Sequence, residues 1–117
     1  MPHTITVDTT NETATVEFVD SHGNTTTQPD NFGSISFTSS DTAVLTVAAD
    51  ASNPLQGDLT PTGTPGTGVT ISAAALDSAG NPLLEADGTT PFPTATSDAI
   101  DVNPGAPVGE RLVVGPA

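Results

Sequence analysis

The sequence predicts an all-β protein, a sandwich of about seven short antiparallel strands. Three observations point there. Short apolar–polar alternations recur along the chain, each bounded by Gly, Pro, Asn, Asp or Ser. Threonine is the commonest residue, at 21 of 117 positions, with 11 glycines and 11 prolines. That usage favours strands and turns and penalises helices. No segment sustains a helical period behind an N-cap.

Residues 4–7 (TITV) alternate with Ile5 and Val7 on one face. ATVEFV at 14–19 alternates again, with Ala14, Val16 and Phe18 inward. SISFT at 34–38 places Ile35 and Phe37 inward, and AVLTVA at 43–48 is a fourth strand. Residues 49–58 and 60–68 read as Pro/Gly-rich loops, with Leu59 on a brief edge strand between them and Pro61 and Pro65 holding the region at a sheet margin. VTISAAAL at 69–76 is the longest alternation, and its alanines (Ala73, Ala75) suggest close approach to the opposite sheet. Residues 82–97 form a Pro- and Thr-rich excursion, a loose hairpin around ADGTT, and AIDV at 99–102 is the last strand. The expected core is Val16, Phe18, Ile35, Phe37, Val44, Val47, Val69, Ile71, Ile100 and Val102.

One pentad, Asp-Ser-x-Gly-Asn, occurs at 20–24 and again at 77–81, each time after an apolar run. Glycine supplies the positive φ of a compact turn, and Asp side chains bond nearby backbone donors. An EF-type calcium loop needs a glutamate at its twelfth position, where this chain has Asn31 and Gly88. The pentads therefore read as two turns, neither a metal site nor the mark of a duplicated half-domain.

Charge and composition narrow the function. Fourteen carboxylates face a single basic residue, Arg111, for a net charge of −13 at pH 7. Such a surface repels phosphate backbones and anionic lipid, so neither nucleic acid nor membrane is expected as a partner. There is no cysteine, hence no disulfide framework and no thiolate metal site. His3 and His22 are too few for a zinc site without carboxylate help. No GxSxG elbow occurs, and the glycines of GTPGTG precede neither Lys nor a helix. The expectation is a non-enzymatic protein with no catalytic residues, no cofactor and no metal. The N-terminal stretch lacks a basic head and an apolar run, so no signal peptide is read there and synthesis in a cytoplasm is expected.

SISFTSSDTAVLTV at 34–47 carries a resemblance. It is similar to the signature of bacterial Ig-like domains of group 2, in which an aromatic strand runs into Ser-Ser-Asp and then a Val-x-x-Val strand. Phe37 stands where that family usually has Trp, Ser39, Ser40 and Asp41 make the turn, and Val44 and Val47 match the paired valines. The first pentad, GTGVTISAAALD at 66–77 and AIDVNPG resemble further parts of the family pattern. The likeness covers about residues 4–104; the loop at 49–65 is longer than usual and 80–95 looks like an insertion. The resemblance implies an immunoglobulin-like β-sandwich over 1–104, followed by a C-terminal arm or extra strand at 105–117. Such domains occur in bacterial surface adhesins and in tailed-phage virion proteins, as binding and structural modules without a catalytic set.

The arm, GAPVGERLVVGPA, holds the chain's one cation beside its last apolar cluster. Either it folds back on its own sheet as an eighth strand, or Glu110, Arg111, Leu112, Val113 and Val114 bind a partner. The expected role is a structural protein of a tailed-phage virion, most of all a head decoration protein on the capsid surface. Its partner would be the major capsid protein or neighbouring copies of itself. The alternatives are an adhesion module of a bacterial surface protein or a phage tail accessory domain. Without Tyr or Trp the chain lacks the usual sugar-stacking platform.

Overall fold

The structure, a computed structural model, describes residues 3–85, 88–112 and 114–115. Among these the chain forms strands and no helix, as expected from its composition. The strands are β1 (His3–Thr6), β2 (Glu12–Thr15), β3 (Phe32–Ser39), β4 (Leu45–Ala49), β5 (Gln56–Pro61), β6 (Gly66–Val69), β7 (Ile71–Asp77), β8 (Ala95–Thr96) and β9 (Ile100–Asn103). They make three three-stranded sheets, ordered β1-β9-β6, β2-β5-β4 and β3-β7-β8. All pairings are antiparallel except β1 with β9.

Two of these sheets share their chain. β6 runs into β7 and β8 into β9, and one antiparallel register, slipping by a residue at Val69↔Ile100, carries Gly66↔Val102 through to Ala73↔Ala95. The expected single strand over 69–76 is thus one strand bent in two and begun earlier. The bend has two causes. Gly68 takes φ +72° in a bulge and gives its N–H to the Asp101 carboxylate. Thr70 turns to Ser40, donating to its Oγ and accepting its N–H.

Ser40 belongs to the Ser-Ser-Asp turn, where each residue holds one backbone amide. Ser39 Oγ accepts from Asp41 N–H at 3.2 Å, Ser40 Oγ from Thr70 N–H at 2.9 Å, and Asp41 Oδ1 from Ala43 N–H at 3.1 Å. The motif therefore links the end of β3 to the start of β4 and also clasps the β6–β7 bend.

The core lies where the three sheets meet. Ile5, Val44, Leu45, Leu59, Val69, Ile71, Ile100 and Val102 are buried together, with Val7, Ala14, Phe37 and Val47 packed against them. Three expected core residues, Val16, Phe37 and Val47, are only half-buried. Leu59 was expected on an edge strand; instead β5 is central, hydrogen-bonded to β2 on one side and β4 on the other. Pro61 is tolerated as its last residue, where a ladder donor is dispensable. Gly57 matters to this packing: a Cβ there would stand 2.9 Å from Val47 Cγ2 and 3.0 Å from the Phe37 ring. The missing side chain lets Phe37 lie on the backbone of β5.

A second, smaller cluster lies apart from this core. Phe18 sits edge-on to Phe32 and to Phe92, with ring centroids 5.5 and 5.8 Å apart. Ile35 and Leu83 are buried outside the main core. The 82–97 excursion is the expected hairpin, bridged at Leu84↔Pro91 and by Glu85 N–H to Thr90 O at 2.7 Å. Its alternation, hidden by prolines, carries Leu83 into full burial.

Candidate functional site

Both pentads form the same turn. The Asp20 carboxylate accepts the N–H groups of His22 and Asn24, and the Asp77 carboxylate those of Ala79 and Asn81. Gly23 and Gly80 take φ +83° and +86°, and each turn closes with the Asp N–H on the Asn carbonyl. The carboxylates are spent on backbone amides. Among the described residues no group of three or more His, Asp or Glu is arranged to hold a metal ion. His3 pairs with Glu12 at 2.7 Å, and His22 stands at the tip of its turn beside Ser21.

The amides of Asn24 and then His22 hold the Asp20 carboxyl below the ordinary aspartate value. Ser52 N–H does most to lower Asp50 in the turn before β5. A lowered folded value means that the stabilisation is present above the ordinary pKa and is lost as pH falls through the folded one. The carboxyl carbons of Asp20 and Asp50 are expected to titrate below an ordinary aspartate in carbon-detected NMR, with turn stability declining below about pH 4. Midpoints at or above the ordinary value would contradict the hydrogen bonding of these turns.

An apolar cleft of about 550 Å³ lies between the chain leaving β2 and the β7–β8 pair. Its lining includes Val16, Phe18, Ile35, Ala73, Ala75 and Phe92. Ala73 and Ala75 do not mark close approach of two sheets, as expected from the sequence. The pairing along β2 ends with Val16 N–H on Leu55 O, and beyond it the short side chains of Ala73 and Ala75 line open space. Glu17, Asp20 and Glu85 stand at the rim. A shallower groove of about 210 Å³ continues from it past Ala14, Phe37 and Thr96. The cleft is flanked by two edge strands, β2 and β8.

The arm lies past β9 without strand pairing among its described residues. Glu110 and Arg111 are exposed, and Val108, Leu112 and Val114 keep 102, 91 and 85% of their surface in solvent; Val113 lies outside the described residues. Arg111 has no ion-pair partner among the described residues. Among its described residues the arm forms no strand on its own sheet. The cleft escaped sequence reasoning because its signal, two alanines in the longest alternation, has the opposite reading when the facing strand departs.

No protein-family model, curated protein or solved structure matches the chain.

Proposed function

We propose that the protein is a non-enzymatic structural protein of a tailed-phage virion, a head decoration protein that binds the outer capsid surface, built on an Ig-like sandwich. The observation that carries the reading is the arm: apolar side chains and the sole cation projecting, unpaired, from an acidic domain. Such a segment has little to gain from its own chain, since a surface ion pair is worth at most about 1 kcal/mol. On a repeating lattice many weak copies would add to useful avidity.

The connectivity supports the Ig-like part. β2-β5-β4 makes one layer, and β1, β8–β9, β6–β7 and β3 follow one another in the other, with the first strand parallel to the last. That order supports the reading of a Greek-key sandwich of the immunoglobulin type. The three amide bonds of Ser39, Ser40 and Asp41 give the signature a structural job at the same place.

The test has two stages. The gene should lie beside genes for a major capsid protein and portal. The full-length chain should then co-sediment with heads assembled from that capsid protein, and Arg111→Glu with Leu112→Asp should reduce occupancy at least tenfold while leaving the melting temperature unchanged. Neighbours encoding a cell-wall anchor would favour the adhesion reading. Wild-type protein that stays in the supernatant would sink the decoration role.

A further inference from the structure

We propose that the apolar cleft between the chain leaving β2 and the β7–β8 pair, with the shallower groove that continues from it along Ala14 and Thr15, receives the C-terminal arm of a second copy of this chain, which adds as a strand along the free edge of β2. The proposal rests on the reading that the arm acts outside its own domain, and not on a virion role.

The cleft has what a strand needs. Among the described residues β2 pairs on one side only, with β5. Val16 N–H bonds Leu55 O, and alternation along an antiparallel ladder turns the backbone groups of Thr13 and Thr15 outward. An edge with free donors and acceptors beside an apolar floor is the ordinary receptor for an added strand. The arm has the matching pattern. In an extended chain Val108, Glu110, Leu112 and Val114 share one face, apolar but for Glu110, and Arg111 takes the other. Leu112 and Val114 would enter against Phe18, Ala73, Ala75 and Phe92. Arg111 would remain at the mouth, where Glu17, Asp20 and Glu85 stand. The only cation of a chain at −13 meets three carboxylates.

The arm does not fill its own cleft. β9 runs away from it: it follows β8, which pairs at Ala73, and has come level with Gly66 at Val102. Leu112 and Val114 keep 91 and 85% of their surface in solvent, and the cleft stands open to the arm of another molecule. The contact joins two different surfaces, so it propagates unless two copies exchange arms or a ring closes.

Sedimentation equilibrium of the full-length chain from micromolar to millimolar concentration tests this. Self-association is expected. Leu112→Asp should weaken it by at least about tenfold, the worth of one buried leucine. Arg111→Glu should weaken it too, and combining Arg111→Glu with Glu17→Arg and Glu85→Arg should restore it. Glu17 and Glu85 are exposed, so these exchanges leave the fold intact, which circular dichroism checks. In a second arm, a peptide of residues 105–117 is titrated into labelled Leu112→Asp protein, and the resonances of Phe18, Ala73, Ala75 and Phe92 should shift. A monomer at every concentration, association indifferent to Leu112, or peptide shifts away from the cleft would each overturn the proposal. Capsid binding by a chain that never self-associates would overturn it while leaving the decoration role standing.

Discussion

Phe18→Ala is expected to destabilise the protein by about 3–5 kcal/mol, the usual loss for a buried aromatic. Phe18 is 7% exposed and meets the rings of Phe32 and Phe92 at interplanar angles of 74° and 80°. Each edge-to-face contact contributes about 0.5–1.5 kcal/mol beyond the area it hides. Truncation removes both at once and leaves three elements without a common anchor: the chain after β2, the start of β3 and the 82–97 hairpin. The chain has no Trp or Tyr, so urea unfolding is best followed by far-ultraviolet circular dichroism. The midpoint should fall by more than about 1 M, given a slope of about 1–3 kcal/mol per molar. Phe37→Ala should cost less, because Phe37 is half-buried against Gly57. A loss at Phe18 below about 1 kcal/mol would mean that the three rings do not pack as one unit.

Leu45→Ala is expected to cost about 2–5 kcal/mol. Leu45 is fully buried at the start of β4, in the cluster that holds Leu59, Val69 and Val102. A chain only 34% hydrophobic has few such residues to share the load, and domains of this size are stable by about 5–15 kcal/mol. The variant should therefore melt markedly lower or unfold in part at 37 °C. Leu112→Ala is its control. The same chemical change on a side chain 91% exposed should move stability by no more than about 0.5 kcal/mol. Equal losses at the two sites would mean that the arm is docked on its own domain.

Much of the local architecture was written in the amino-acid order. Alternation found β1, β3, β4 and β9 because each buries one face, and a period of two is then visible without any knowledge of partners. Both pentads were legible as turns because their bonds are local: an Asp carboxylate, amides two and four residues on, and a glycine at positive φ. The absence of helix followed from threonine, glycine and proline usage. The arm stood out by its charge, the one cation in an acidic chain.

Other features depended on who packs against whom. Gln56–Pro61 looked like loop because of Gly57, Asp58 and Pro61, yet β2 and β4 claim it from both sides and bury Leu59. There the ladder outweighs propensity, since a central strand gains hydrogen bonds that its side chains do not announce. The strand over Gly66–Asp77 is continuous in sequence, and two distant residues bend it, Asp101 at the Gly68 bulge and Ser40 at Thr70. Leu83 is fully buried where its backbone bonds Ala75 and Phe92, although Pro82 beside it hides the alternation. The cleft is the plainest case. Ala73 and Ala75 are small in any context, but whether small side chains admit a facing strand or leave a hollow is decided by the path of that strand. Its pairing ends with Val16 on Leu55, so the hollow, its carboxylate rim and the free edge beside it belong to the tertiary structure alone.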